Sequence, residues 1–474
     1  MSLTETLVSF NEIEKLSQRV AFEYGRSIIS SVLEELDEKL RKNRDKTKYG
    51  NKGKRPSVIK TTLGEVSYSR TLYYIYEDGG KIGQVYLLDE LMGMNGSGHF
   101  SELLRDLIVR MCCDGAYRDA ARAVSEMTGQ AISHTAAWNI VQAIGKRVDE
   151  HEHHESVLAA ENRGAGTIET GVLFEEQDGV TLNLQGEDRK KHGDSKEMKV
   201  AIAYDGAVKK GKDRYELTNK VACANFESVS GFVKRKEGVI AGAYNVDEIE
   251  VRFLNGDGAA WIKQSKSGEN VHIQLDQFHR NKAITRNISN PKVRETITEL
   301  LYAKEIDLML HVLEVEALSS KEEDEREKYM TLHTYFTNNK EGLVPITRRG
   351  LIIPAPTADK EYRSMGCMES NIYTIIGNRM KGGRACWSIN GGNNLARLLC
   401  LRHTQRLSTT LQSLSSCVLP ERYTEETLIK SNFSAAQIPP HEGKGYNGFK
   451  QTLIPSNQKW LKDIAAIKPL YSQK

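Results

Sequence analysis

The spacing of apolar residues predicts a helical start to the chain, followed by a small β region. From residue 11 to residue 42, apolar side chains recur at helical spacing, which is typical of one long helix or of two. Two runs rich in Val, Thr and Tyr follow at 58–63 and 66–76, and Gly64 separates them. These residue types favour a pair of neighbouring strands.

Helical spacing returns at residues 101–150. A helix is predicted at about 117–127, a turn at 128–132, and a second helix that begins after Ser133 and runs to Gly145. This order is the pattern of a helix-turn-helix, whose second helix would present Ser133, His134 and Trp138 to DNA. A simple hairpin of two helices has a similar sequence and is the alternative.

The following part of the chain alternates strands and helices. Its predicted strands are 172–176, 180–184, 199–204, 215–224, 250–254 and 271–275. Helices are predicted at 228–243, from Ala259 and after Asp276. This is the order of an RNase H-like core, so the predicted fold class is mixed α+β. A charged helical stretch at 281–363 would be an insertion before a last pair of helices, which begin at Glu369 and Asn390.

These patterns divide the chain into regions. The predicted regions are an N-terminal helical segment with a basic arm (1–56), a small β region (57–100), a helix-turn-helix region (101–160), an RNase H-like catalytic domain (165–410) with its helical insertion (281–363), and a partly disordered C-terminal tail (411–474).

Composition excludes some classes of protein. The formal net charge is only +3, so any contact with nucleic acid must come from local clusters. No apolar run is long enough for a membrane span, and the first residues do not resemble a secretory signal. The seven cysteines form no Cys-x-x-Cys pair, which favours reduced thiols in a cytoplasmic protein. His151, His153 and His154 form either a polar linker or a metal site.

One local cluster is strongly basic. Residues 39–55 hold nine Lys or Arg side chains and a single acid, Asp45. A solvated loop and an arm that binds the DNA backbone are both possible interpretations. The candidate DNA-binding residues of the arm are Arg41, Lys42, Arg44, Lys46, Lys48, Lys52, Lys54 and Arg55.

Two aspartates are candidate metal ligands. Asp178 and Asp257 each follow an apolar strand run and precede a glycine. Adjacent strand ends would bring them together, where a cation would offset their repulsion. Two Mg²⁺ ions about 3.5–4 Å apart can activate a nucleophile and stabilise a leaving oxygen. An Asp before Gly is also common in turns, as at Asp205, so the alternative is structural.

Four motifs in this order resemble the ISLre-type insertion-sequence transposases, near the Mutator-like branch of the DDE superfamily. The motifs are EQDG at 176–179, LNGDGAAWI at 254–262, LDQFH at 275–279 and MGCMESN at 365–371. The resemblance implies an RNase H-like core in which Asp178, Asp257 and Glu369 hold two Mg²⁺ or Mn²⁺ ions. Considered alone, Glu369 is equally suited to stabilise a helix N-terminus.

The resemblance also implies accessory residues. Asp276 and His279 match an Asp/Cys-x-x-His signature, where His279 could pair with Asp276; a helix cap with an exposed histidine is the alternative. Arg379 and Arg384 would contact phosphates, and Trp387 would stack or brace the site. Residues 383–388 depart from the usual Gly-Arg-Ser-Trp-Ser pattern by one residue, which affects the placement of Arg384 and Trp387.

The function implied is that of a DNA transposase. Hydrolytic nicking of DNA would be followed by direct transesterification. The sequence has no motif typical of a phosphate-binding loop, which is consistent with a reaction that uses no ATP. Its partners would be double-stranded DNA, at terminal inverted repeats and at the target, and further copies of the chain, because two DNA ends must be paired. A nuclease of the same fold and a non-catalytic DNA-binding regulator are the alternatives.

Overall fold

The N-terminal region is a long helix packed on a small antiparallel sheet. The computed structural model describes residues 9–93, 100–357 and 359–414. Helix α1 (Phe10–Asn43) begins at a capping box in which Ser9 and Glu12 each accept the other's backbone N–H. The sheet consists of β1 (Tyr49–Thr61), β2 (Gly64–Glu77) and β3 (Gly80–Tyr86), in that spatial order. The predicted helix and strand pair are therefore confirmed.

The basic segment is not a separate arm. Arg41 and Lys42 belong to the last turn of α1, and residues 49–55 are paired with β2 as part of β1. The boundary placed at residue 56 therefore lies inside a strand. A loop was predicted because Gly50, Gly53 and Pro56 disfavour regular structure. β1 accommodates them at an edge of the sheet, with an irregularity in register between Asn51 and Gly53.

Four helices connect this sheet to the rest of the described chain. They are α2 (Leu87–Leu91), α3 (Glu102–Asp114), α4 (Tyr117–Thr128) and α5 (His134–Ala160). The turn between α4 and α5 uses Gly129 in the left-handed region, and the Ser133 hydroxyl accepts the Ala136 N–H at 3.1 Å as an N-cap. Helix α5 extends well beyond Gly145. His151, His153 and His154 therefore lie on a helix and not in a linker.

A five-stranded mixed sheet forms the centre of the molecule. Its strands are β4 (Val172–Asn183), β5 (Ser195–Tyr204), β8 (Val221–Asn225), β9 (Val251–Gly256) and β10 (Val271–Leu275). The spatial order is β10-β9-β4-β5-β8, with β4, β9 and β10 parallel to one another and β5 antiparallel to β4 and β8. Helix α6 (Gly186–His192) follows β4, and β6 (Ala207–Lys209) pairs with β7 (Tyr215–Leu217).

Two predicted strand boundaries are wrong. The runs 172–176 and 180–184 form the single strand β4, because Gly179 remains paired with β5. The run 215–224 is divided between β7 and β8, which belong to different sheets. Asn219 interrupts the run with a positive φ of 51°.

Helices cover both faces of the central sheet. The helices that follow β8 in the described chain are α7 (Val229–Ala241), α8 (Ala260–Gln264), α9 (Gln277–Asn287), α10 (Pro291–Ala303), α11 (Ile306–Ser319), α12 (Glu323–Asn338), α13 (Met368–Ile372), α14 (Asn378–Met380), α15 (Ile389–His403) and α16 (Leu407–Ser413). A π-helical turn (Tyr373–Gly377) joins α13 to α14. Helices α9–α12 share a core of their own, so the predicted insertion is a helical layer beside the sheet.

The face covered by α7 contains a buried ionic cluster. The Glu175 carboxylate, fully buried on β4, accepts from Lys236 Nζ at 2.6 Å and from Arg252 Nε at 2.7 Å. Glu237 completes the cluster through two bonds from the Arg252 guanidinium, at 2.8 and 2.9 Å. Each buried charge therefore has an opposite partner, which is the condition for burying ions at tolerable cost.

Only the first residues of the predicted C-terminal tail belong to the described part of the chain. Helix α16 includes residues 411–413, which belonged to the predicted tail. The rest of that prediction, for 415–474, lies outside the described residues. None of the helices in the described ranges is both long enough and apolar enough to cross a membrane.

Helix α5 is packed into the central domain and does not form a separate unit. Its buried residues share one hydrophobic core with the sheet and with α15. At Gly145, α5 approaches α15 so closely that an added Cβ would lie 2.6 Å from Asn394 Cβ and 2.8 Å from its carbonyl oxygen. Further along α5, Glu152 accepts from Arg397 Nε at 3.3 Å. The two helices are thus fixed relative to each other.

We predict that Gly145→Ala destabilises the chain. The methyl group requires the helices to separate, which should lower the free energy of unfolding by about 1–3 kcal/mol, even though Ala favours a helix over Gly by about 1 kcal/mol. Urea unfolding followed by circular dichroism measures the change. Gly115→Ala is the matched control, because there the added Cβ meets only Met111 O at 3.8 Å. Equal stability of Gly145→Ala and the wild type would contradict the predicted contact.

Candidate active site

Three aspartates lie in one row at the carboxyl edge of the parallel strands. The register ends with Gln177 paired to Gly256 and Gly256 paired to Leu275. The next residue of each strand is an aspartate: Asp178, Asp257 and Asp276. Because neighbouring strands are about 4.8 Å apart, the sheet itself brings these residues together. The predicted juxtaposition of Asp178 and Asp257 is found, and Asp276 joins them.

Asp178 is held differently from its neighbours. It was expected at the end of a strand, but β4 continues to Asn183 and Asp178 remains opposite Val200 of β5. Only β9 and β10 end at this level. The Asp178 backbone is consequently fixed on one side by β5, while its other side faces the open edge beyond β9.

Burial and neighbouring charge both act on the Asp178 carboxyl group. Partial burial raises its pKa above the ordinary value, and the negative charge of Asp257 raises it further. The Gly179 N–H, which donates to Asp178 Oδ1 at 2.7 Å, acts in the opposite direction. His279 Nε2 lies 3.8 Å from Asp178 Oδ2. The row therefore concentrates negative charge, with one histidine ring beside it.

Asp276 serves as a helix cap. Its Oδ1 accepts the His279 backbone N–H at 3.0 Å and so starts α9. Its Oδ2 accepts from Asn255 Nδ2 at 3.0 Å. The proposed pairing of the His279 ring with Asp276 is therefore wrong, because the ring lies against Asp178, two strands away in the sheet. The cap that was considered as the alternative is present.

The helical insertion supports the loop that carries Asp257. The Tyr335 hydroxyl, on α12, donates to the Asp257 carbonyl at 2.7 Å. Asn339 packs against Gly258, where an added Cβ would lie 2.6 Å from its side-chain oxygen. Within the loop, Asp257 Oδ1 accepts the Ala259 N–H at 2.8 Å. No local sequence signal pointed to Tyr335 or Asn339, since they are about eighty residues from Asp257.

A second polar row lies beneath the aspartates. Glu176, Asn255 and Gln274 are register partners on β4, β9 and β10, two residues before each aspartate and thus on the same face. All three are buried. Asn255 Nδ2 donates to Glu176 at 3.3 Å and also to Asp276, and its Oδ1 faces Gln274 Nε2 at 3.4 Å. The upper row thus rests on a hydrogen-bonded layer.

Glu369 directly follows a segment that contacts this polar layer. It lies in the first turn of α13 and is exposed. The residues before it are anchored: the Gly366 and Met368 N–H groups donate to Glu176 Oε2 at 3.0 and 3.1 Å. The structure therefore brings the Glu369 segment against β4, two residues from Asp178.

The accessory residues after Glu369 have structural contacts. Arg379 Nε donates to the Cys112 carbonyl at 2.7 Å, and its guanidinium lies 5.2 Å from the Tyr117 ring centroid and 5.4 Å from that of Trp387. Arg379 therefore joins α14 to α3, and its contact with a phosphate stays a prediction. Trp387 is buried and donates through Nε1 to Met380 O at 2.9 Å, consistent with bracing. Arg384 is exposed with a φ of 59°.

The candidate DNA-binding residues fall into two groups. Arg41 and Lys42 pair with Glu38, and Arg44 donates to the Tyr49 carbonyl at 3.0 Å. The exposed members of the basic segment are Lys42, Lys46, Lys48, Lys54 and Arg55, and Lys52 lies half-buried over the Tyr74 ring. At the start of α5, Ser133 acts as the cap, while His134 and Trp138 are exposed.

The donor groups for a metal ion are fewer than the three acids that the resemblance implies. Across 9–93, 100–357 and 359–414, no three His, Cys, Asp or Glu side chains are grouped closely enough to hold an ion. This applies to Asp178, Asp257 and Glu369 as well as to the histidines of α5, so the exposed Glu369 side chain is not grouped with the two aspartates. Mg²⁺, however, keeps several waters and commonly uses only one or two carboxylates together with substrate phosphates. Asp178 and Asp257 supply two such hard oxygen ligands at adjacent positions, so the donor set fits a divalent cation.

The fold and site define a mixed α+β protein whose parallel strands end in a row of carboxylates. The chain belongs to the uncharacterised protein family UPF0236, whose profile matches residues 3–409.

Relatives of this family occur in Caldanaerobacter subterraneus subsp. tengcongensis. One UPF0236 protein is 23% identical over 410 residues, which covers 84% of this chain and 77% of the relative. A second is 24% identical over 404 residues, with the same shares covered, and its name combines eleven locus labels. A third is 24% identical over 410 residues and covers 84% of this chain and 78% of the relative. The family therefore has many paralogues in one genome.

We predict that Asp178→Asn stabilises the protein at neutral pH in the absence of divalent ions. The raised pKa means that the folded state holds this proton to a higher pH than the unfolded chain does, so ionisation of Asp178 lowers stability as pH rises above about 4. Asparagine does not ionise, so the variant does not lose stability in this way. Its melting temperature should exceed that of the wild type at pH 7, and the gain should shrink as the pH falls towards 4.

Asp213→Asn, at an exposed position, is the control and should leave the melting temperature nearly unchanged at both pH values. A lower melting temperature for Asp178→Asn than for the wild type at pH 7 would contradict the electrostatic account of this site.

Proposed function

We propose that this protein is a DDE transposase of a bacterial insertion sequence, which cleaves DNA strands and transfers them during DNA-mediated transposition. The observation that carries the proposal is the adjacency of Asp178 and Asp257 at the edge of the sheet, with the Glu369 segment anchored beside them. DDE chemistry needs acidic ligands from distant parts of the chain at one place.

The sheet topology supports an RNase H-like core. Strands β4, β5 and β8 form an antiparallel meander, and β9 and β10 are added in parallel on the other side of β4. The first strand of this order then lies at the centre of the sheet. The first and fourth strands carry the two aspartates, as the resemblance to insertion-sequence transposases implies.

The chain's own groups would prepare the reaction in three ways. Asp178 and Asp257 would hold two Mg²⁺ or Mn²⁺ ions with Glu369, and the ions would lower the pKa of a bound water and neutralise charge on the phosphodiester. His279, 3.8 Å from Asp178, would restrict the orientation of that carboxylate. Tyr335 and Asn339 would keep the Asp257 loop in place, so that the two aspartates meet the DNA backbone as a rigid pair.

DNA contact is proposed for two surfaces. The exposed lysines and arginines between Lys46 and Arg55 would contact phosphates. Helices α4 and α5 have the order and cap of a helix-turn-helix, and His134 and Trp138 at the start of α5 are exposed. Because α5 also packs on α15, DNA held by α5 would keep a fixed position relative to the carboxylates.

The distribution of relatives supports a mobile element. A protein whose name combines eleven locus labels of one genome is present in many copies, as expected for a sequence that moves. A stand-alone nuclease of the same fold would use the same carboxylates, and a strand-joining assay separates the two activities.

We predict that Asp257→Asn abolishes Mg²⁺-dependent cleavage of DNA that carries the element's ends. The loss should exceed the roughly 10- to 100-fold reduction that follows removal of a group that only supports a metal ligand. DNA binding should persist, because the basic segment and α5 are unchanged. Gel assays of cleavage and of binding measure the two effects separately.

Asp213→Asn serves again as the exposed control and should cleave like the wild type. Retained cleavage by Asp257→Asn would remove Asp257 from the mechanism, and loss of binding together with cleavage would indicate a folding defect, which circular dichroism detects.

For the basic segment, we predict that replacing Lys48, Lys52 and Lys54 by Ala weakens DNA binding and lowers its salt dependence. Each lost phosphate contact should reduce the slope of log K against log salt by about 0.9. The triple variant should therefore lose up to about 2.7 from the slope. Fluorescence anisotropy at several salt concentrations measures this change.

The control replaces three lysines of the helical insertion by Ala: the exposed Lys292 and Lys321 and the half-buried Lys328. It loses the same charge and should retain more of the slope. Equal slopes for the two triple variants would contradict a specific role for the basic segment.

A further inference from the structure

Glu176 is the most heavily hydrogen-bonded carboxyl group near the candidate site. It is fully buried on β4, and every contact that it makes comes from a donor. The donors and their distances are Tyr204 OH at 2.7 Å, Cys367 Sγ at 3.0 Å, the Gly366 N–H at 3.0 Å, the Met368 N–H at 3.1 Å and Asn255 Nδ2 at 3.3 Å.

We propose that Glu176 is a positioning residue that sets the place of Glu369 relative to Asp178. The proposal rests on the proposed function, since it assigns Glu369 a role beside the aspartates. Glu176 and Asp178 are two residues apart on β4 and share one face of the sheet. Three of the five donors belong to residues 366–368, directly before Glu369.

The ionic surroundings of Glu176 support this role. Within the described ranges, no Lys or Arg nitrogen lies within ion-pair distance of Glu176, although Glu175 on the opposite face has two such partners. A buried carboxyl group without a cation is costly unless hydrogen bonds satisfy its oxygens. The donors of 366–368 supply much of that compensation. The carboxyl group and the segment thus stabilise each other.

The segment fits closely over the polar layer. Gly366 has a φ of 129°, in the region that favours glycine, and an added Cβ would lie 3.4 Å from Asp276 Oδ2. Asn255 links Glu176 to Asp276 through its Nδ2 group. One hydrogen-bonded unit therefore connects the anchor of Glu369 to the far end of the aspartate row.

The Cys367 side chain adds a contact on the other oxygen of Glu176. Its thiol donates a hydrogen bond to Oε1 at 3.0 Å, whereas the Gly366 and Met368 N–H groups donate to Oε2. The segment therefore holds both oxygens of the carboxyl group.

The experiment compares Glu176→Gln with the wild type in the full chain. Glutamine keeps the size of the side chain but has an NH₂ group in place of one accepting oxygen, so at least two of the present donors lose their acceptor in either orientation of the amide. Hydrogen exchange followed by mass spectrometry should accelerate at least about tenfold in peptides that span 364–370. Mn²⁺ affinity, measured by electron paramagnetic resonance, should fall about 10- to 100-fold. DNA binding should remain, because Glu176 is buried and belongs to neither of the proposed DNA surfaces.

Glu169→Gln, at an exposed position, is the matched control and should match the wild type in both measurements. Tyr204→Phe removes a donor that does not belong to the segment, so it should weaken Mn²⁺ binding less than Glu176→Gln does. Should Glu176→Gln fail to fold, Cys367→Ala removes one contact of the segment and should produce the same two changes at smaller size.

Unchanged exchange and unchanged Mn²⁺ affinity in the folded variants would overturn the proposal. Failure of the proposed function itself has a different signature: Asp178→Asn would then bind Mn²⁺ like the wild type, whereas the accelerated exchange in Glu176→Gln would still be observed.

Discussion

The register of the parallel strands β4, β9 and β10 places three carboxylates side by side, and the rest of the site depends on this constraint. Burial raises the pKa of Asp178, and the like charge of Asp257 on the adjacent strand raises it further. A sheet tolerates such a row only where the surrounding fold fixes it. β5 holds Asp178 from one side, the insertion holds the Asp257 loop, and the first turn of α9 holds Asp276.

The same constraint explains how distant parts of the chain meet. The polar layer of Glu176, Asn255 and Gln274 has buried hydrogen-bonding groups that strands alone cannot satisfy. The missing partners come from the chain after α12. The Ile346 N–H donates to Gln274, and residues 366–368 donate to Glu176. Satisfying this layer therefore brings the Glu369 segment to the sheet edge. Stability of the fold and assembly of the site follow from one set of contacts.

Sequence reasoning succeeded where the signal was local. The cap at Ser133, the helix predicted from Asn390 and found from Ile389, and the aspartates after β-strand runs were predicted from neighbouring residues, and the cap at Asp276 was considered as an alternative. It failed where partners are distant. Glycine after Asp178 suggested a strand end, but pairing with β5 overrides it. The contact of Arg379 with Cys112 spans 267 residues, and that of Glu176 with Gly366 spans 190. Contacts between residues so far apart leave no periodic pattern of apolar residues in the sequence.

The central claim is that the edge formed by Asp178 and Asp257 binds divalent metal with Glu369. The most direct test is anomalous diffraction at the manganese absorption edge, from crystals of the full chain grown with Mn²⁺. The account predicts an anomalous peak about 2 Å from carboxylate oxygens of both aspartates, with the Glu369 side chain turned towards it. A well-ordered sheet edge without a peak, or a peak held only by other residues, would contradict the account.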